Sequence, residues 1–111
     1  MIRFEKTQVF ESNAKKFAKR YPSFNDDLRS LLLSLQENPE QGTLLSGGFR
    51  KIRMSTASKG KGKSGGARVI TLNCLVDTEE GLITLVTIYD KSDTENISLK
   101  EMRDALAGRK S

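Results

Sequence analysis

Ala67-Arg-Val-Ile-Thr-Leu-Asn-Cys-Leu-Val76, then Asp77-Thr-Glu-Glu-Gly81, then Leu82-Ile-Thr-Leu-Val-Thr-Ile-Tyr89 is the stretch on which the fold turns. Two runs rich in Val, Ile, Leu and Thr flank a short acidic connection that closes on a glycine, the pattern of two antiparallel strands joined as a hairpin. Upstream, Phe49-Arg-Lys-Ile-Arg-Met54 reads as a third strand. The connection from it to Ala67, Ser55 to Gly66, is too long and too basic to be merely a turn. The three runs predict an antiparallel meander.

Toward the N-terminus the period changes. Ile2 to Lys6 alternates loosely, with Ile2 and Phe4 on one side, and reads as a short strand. From about Ser12, the residues Ala14, Phe17, Ala18 and Tyr21 fall at helical spacing with Lys15, Lys16, Lys19 and Arg20 between them, until Pro22 interrupts. Ser23 or Asn25 can cap a second helix, with Asp26 and Asp27 in the first turn, an apolar stripe of Leu28, Leu31, Leu32 and Leu35, and an end before Asn38-Pro39. So short a link folds the two helices back on each other as a hairpin. At the far end, Leu99, Met102 and Leu106 mark a third helix, and Ser98-Leu-Lys-Glu101 fits a capping box. The order β-α-α-β-β-β-α predicts an α+β fold in which the helices, the helical hairpin foremost, cover one face of a mainly antiparallel sheet.

The 111 residues, 36% of them hydrophobic, suffice for one small core, so residues 1–111 read as a single domain. No apolar run approaches the ~20 residues of a membrane span. The opening Met-Ile-Arg-Phe-Glu-Lys is too charged for a secretory signal, so a soluble, cytoplasmic protein with no membrane partner is expected. One cysteine, Cys74, and no histidine exclude an internal disulfide, Ser-His-Asp and Cys-His catalysis and a zinc site, and no metal or cofactor is expected. Cys74, between Leu72 and Leu75, reads as a small core residue.

Charge is distributed unevenly. Gly47 to Arg68 holds seven Lys or Arg and no acid, whereas the rest of the chain holds twelve against fourteen Asp or Glu. A block so concentrated attracts phosphates, which points to a polyanionic partner. Within it, strand alternation sets Lys51 and Arg53 on one face and Arg50 on the other with Ile52 and Met54. Lys59, Lys61 and Lys63, alternating with glycines, can contact phosphates as point charges while the backbone approaches closely, but the spacing is not that of a P-loop. Arg68 shares a side with Ile70, Leu72 and Cys74, as a snorkelling edge residue or an anion clamp. Tyr89 and Lys91 share a face with Leu85 and Thr87 at the end of the last strand. Sparse acids near the strands disfavour a magnesium nuclease. Lysine, arginine and tyrosine still suffice for a metal-free route on RNA, in which the substrate's own 2′-hydroxyl attacks the phosphodiester.

Three motifs in sequence, Gly47-Gly-Phe-Arg-Lys-Ile-Arg53, Lys59-Gly-Lys-Gly-Lys-Ser-Gly-Gly-Ala-Arg-Val-Ile70 and Leu85-Val-Thr-Ile-Tyr-Asp-Lys91, together with the element order, resemble the RelE/ParE superfamily of bacterial type II toxins, and its HigB-like branch most closely. The resemblance covers nearly the whole chain. It implies the RelE-like microbial ribonuclease fold and metal-independent, ribosome-dependent cleavage of messenger RNA, inhibiting translation and growth. It also implies silencing by a cognate antitoxin carrying a helix-turn-helix DNA-binding domain. By position, Lys51, Arg53 and Arg68 match the family's phosphate-contacting and charge-stabilising residues, and Tyr89 and Lys91 match its Tyr-x-His or Tyr-x-Lys. Arg50, Lys59, Lys61 and Lys63 would add RNA or ribosome binding. RelE itself has a second arginine after the last-strand lysine and a tyrosine in the C-terminal segment, where this chain has Ser92 and Ser98, so the general base stays unassigned. A ParE-like inhibitor of DNA gyrase shares the fold, and a non-catalytic nucleic-acid-binding module shares the charge.

Overall fold

The computed structural model describes residues 1–57, 66–94 and 96–108. β1 (Ile2–Lys6) leads into α1 (Gln8–Arg20) and α2 (Phe24–Glu37), followed by a two-residue β2 (Thr43–Leu44), β3 (Phe49–Met54), β4 (Ala67–Leu75), β5 (Gly81–Asp90) and α3 (Leu99–Ala107). The protein is α+β, with one mixed five-stranded sheet ordered β1-β5-β4-β3-β2. The β3-β4-β5 meander is antiparallel as expected. β1, by contrast, runs parallel to β5, from Ile2 opposite Gly81 to Lys6 opposite Leu85. A parallel neighbour needs a long connection before it, and the two helices after β1 are part of that path.

Local chemistry explains the helix ends. α1 begins at Gln8 rather than near Ser12, because Thr7 caps it: the Thr7 hydroxyl accepts from the Phe10 backbone N–H at 2.9 Å. The same hydroxyl donates to the Val86 carbonyl at 2.7 Å, joining the start of α1 to β5. Pro22 separates α1 from α2, and Phe17 stacks at the corner with Tyr21 and Phe24, centroids 5.6 and 5.7 Å apart. The Ser98 capping box is present on α3, with the Ser98 hydroxyl accepting from the Glu101 N–H and the Glu101 carboxylate accepting from the Ser98 N–H. At the sheet edge, Gln36 accepts from the Ile2 N–H and donates to the Ile2 carbonyl, covering part of the open side of β1.

The helices cover both faces of the sheet, not one. Phe10, Phe17, Phe24 and Leu35 of α1 and α2 pack with Ile52, Val69, Ile83 and Ile88 on one face. Met102 and Ala105 of α3 pack with Phe49, Ile70, Val86 and Tyr89 on the other. The physical reason lies in the meander, whose central strands β4 and β5 are apolar on both sides and so require two covers. That burial fades along β4, and Cys74 is exposed rather than a core residue. Among the described residues, no helix is long and apolar enough to cross a membrane.

Candidate nucleic-acid interface

The register of the meander builds the site. Arg53 of β3 is the direct partner of Arg68 of β4, and Arg68 is in turn the partner of Tyr89 of β5. Lys51 pairs with Ile70, two residues along. Alternation fixes the face: Ile52, Met54, Ala67 and Val69 belong to the α1/α2 cluster, so Lys51, Arg53 and Arg68 project to the α3 side, where Ile70 and Tyr89 lie. Three cations and a phenol thus share one surface. Arg50 projects to the other side, and its guanidinium donates to the Glu40 carbonyl at 2.7 Å, a structural latch rather than part of the cationic row.

Burial along the row is unequal. Arg53 is exposed and Lys51 half-buried, whereas Arg68 is only 6% exposed. A charge this buried is expected to have a carboxylate partner. Among the described residues Arg68 has none, and its guanidinium donates only to the neighbouring Ala67 carbonyl, at 3.3 Å. Among the described residues it is therefore neither a snorkelling edge residue nor half of an ion pair. Arg53, its cross-strand neighbour, adds a like charge. The row is a place where a bound anion would relieve both costs.

Tyr89 reaches this face through an irregularity. Ile70 pairs with Thr87 while Thr71 pairs with Leu85, so Val86 is an extra residue in β5. The bulge shifts the alternation: Leu85 stays in the α1/α2 cluster, while Val86 and Tyr89 enter the α3 cluster. The expected shared face of Leu85 and Tyr89 is therefore wrong, because strict period-2 counting fails across a bulge. Tyr89 is 9% exposed, and burial pushes its phenol above the ordinary tyrosine range, with the positive charge of Arg68 pulling the other way. Lys91 lies beyond the strand, in a turn organised by Asp90, whose carboxylate accepts from the Ser92 N–H and hydroxyl and from the Tyr21 hydroxyl. The Lys91 backbone N–H still donates to the Gly66 carbonyl at 3.2 Å, one rung past the pair of Ala67 and Asp90.

One partner escaped the sequence reading. The Lys51 ammonium donates to the side-chain oxygen of Asn96 at 3.2 Å, across 45 positions of chain. No local motif marks Asn96, since only the return of the chain before α3 brings it to β3. Both residues border a cleft of about 250 Å³ beneath the start of α3 that Tyr89 also lines. Lys59, Lys61 and Lys63 lie outside the described residues. Among the described residues, no group of three or more His, Cys, Asp or Glu side chains comes together to hold a metal ion. Comparison with protein-family models finds no match for this chain.

Proposed function

We propose that the chain is a RelE/ParE-superfamily toxin of the HigB-like branch, acting in the cytoplasm as a ribosome-dependent endoribonuclease on messenger RNA and held in check by an antitoxin. The observation that carries this reading is the opposition of Arg53 to a buried Arg68 that no described carboxylate neutralises, with Lys51 on the same face. Uncompensated donors of this kind suit the charge that develops on a phosphodiester. The element order β-α-α-β-β-β-α, with β2 as a minor addition, supports the RelE-like arrangement.

In this reading the 2′-oxygen of the substrate attacks phosphorus and the 5′-oxygen departs with a proton, leaving a 2′,3′-cyclic phosphate and a 5′-hydroxyl. Arg53 and Arg68 stabilise the extra negative charge on the phosphorane through planar donors. Tyr89, whose phenol keeps its proton well past neutral pH, acts as a donor and an aromatic surface, not as a phenolate base. Lys91 adds positive charge beyond the strand. Lys59, Lys61 and Lys63 contribute binding to RNA or the ribosome through charge, whereas Arg50, held to the Glu40 carbonyl on the opposite face, does not, and the antitoxin covers the basic face with a complementary segment.

Inducing the gene in translating cells and mapping messenger RNA ends tests the reading. Cuts within translated frames, carrying 2′,3′-cyclic or 3′-phosphate ends, are the expected result. Intact messages with DNA breakage would point to gyrase instead, and intact messages and DNA with retained RNA binding would leave only a binding module.

A further inference from the structure

The cleft beneath α3 has a floor and a rim of different chemistry. Its floor is apolar, with Ile70 and Met102 buried and Leu99 beside them, and Tyr89 adds an aromatic wall. Pockets for drug-sized ligands run from about 300 Å³ upward. At about 250 Å³, this one suits a single ring system. Apolar and aromatic walls of this kind hold a nucleobase by its faces, whatever the base.

The rim decides which base. Lysine can only donate, so the Asn96 atom within 3.2 Å of the Lys51 ammonium has to be the amide oxygen. That contact takes one of the two lone pairs of the Asn96 oxygen and sets the positive charge of Lys51 beside the other. What remains for a ligand is the Asn96 NH₂ and the remaining ammonium protons of Lys51, two donor groups side by side. An adenine edge, with one donor and one acceptor, mismatches such a pair, whereas guanine presents two adjacent acceptors, O6 and N7. A free asparagine reads adenine through one donor and one acceptor; here the Lys51 charge beside the Asn96 oxygen disfavours the adenine N6 donor and favours an acceptor in its place.

The geometry points to the cleft as a guanine-selective base site, read by Asn96 and Lys51 and walled by Tyr89. The assignment builds on the nuclease reading by naming the base that is seated beside the cationic row. Arg53 and Arg68 lie one pleat repeat, about 6–7 Å, along the strands from Lys51 and Ile70. A base in the cleft therefore leaves its sugar and phosphate next to the arginines.

Nuclear magnetic resonance titration of the full chain with 5′-GMP, 5′-AMP and 5′-CMP tests this without relying on cleavage. GMP should shift the methyl signals of Ile97, Leu99 and Met102 and bind roughly ten-fold more tightly than AMP or CMP, the order of one two-donor base contact at an exposed rim. Asn96 is exposed, so Asn96→Ala should fold normally and bring the three affinities within about two-fold of one another. Equal binding by the unaltered protein, absence of binding, shifts confined to other surfaces, or a GMP preference that survives Asn96→Ala would each overturn the assignment. Selective GMP binding by a protein that leaves messages intact in cells would keep the cleft and remove the nuclease reading. Cleavage with no GMP preference would do the opposite.

Discussion

Arg53 and Arg68 stand directly opposite each other in the β3-β4 ladder, two like-charged residues paired in register with the second one buried. Like-charged partners in this position destabilise a sheet, by up to about 1 kcal/mol. The arrangement therefore costs the protein stability, a cost that a bound anion would relieve.

The first prediction reverses that charge. Arg53→Glu places a carboxylate opposite Arg68, so the thermal midpoint should rise by a few degrees, about 4 °C per kcal/mol for a domain of this size. Messenger RNA cleavage should be lost in the same protein. A lower midpoint would show that the two arginines do not oppose each other energetically.

The second concerns Arg68 itself. Truncating an arginine at an exposed edge is cheap, but Arg68 is only 6% exposed. Arg68→Met keeps most of the volume and removes a buried charge that no described carboxylate neutralises, a change that is commonly neutral or stabilising. The midpoint should stay level or rise while cleavage falls to background. Calorimetry alongside end mapping separates this from a structural role, in which both would collapse together.

The third prediction is a pH dependence. Burial raises the Tyr89 pKa in the folded state, so the folded protein keeps a proton that the unfolded chain loses above about pH 10. The contribution of Tyr89 is fully present below that pH and is lost as pH rises through the higher folded value. Tyr89→Phe should accordingly lose less stability than the parent between about pH 10 and 12. Removing Arg68, whose charge favours the phenolate, should move the Tyr89 titration further up, as read from phenolate absorbance in a Tyr21→Phe background. An unchanged titration would place the Arg68 charge away from the phenol.

The fourth prediction is structural. Thr7→Val removes the α1 cap and the hydrogen bond to the Val86 carbonyl while keeping the side-chain shape. A cost of about 2 kcal/mol, or roughly 8 °C, is expected, and Thr7→Ser should recover most of it. Equal midpoints for the Val and Ser variants would deny the hydroxyl its double role.

Much of the architecture is legible along the chain because it depends on neighbours. Period-2 runs, Pro22, Ser98 with Glu101, and the turn before Gly81 act within a few residues of themselves, and they set the meander and the helix positions. The face shared by Lys51 and Arg53 follows from the pleat alone. Other features are decided only when distant segments meet. The parallel pairing of β1 with β5, the placing of α3 on the face opposite α1 and α2, and the opposition of Arg53 to Arg68 all depend on register and layering. Register is a compromise among many contacts, and no single residue encodes it. The Val86 bulge is the clearest case: Leu85-Val-Thr-Ile-Tyr89 reads as a plain alternating strand, yet one unpaired residue moves Tyr89 to the face of Arg68. Asn96 becomes a partner of Lys51 for the same reason, since a hydrogen bond across 45 positions exists only once the sheet and α3 have closed around it.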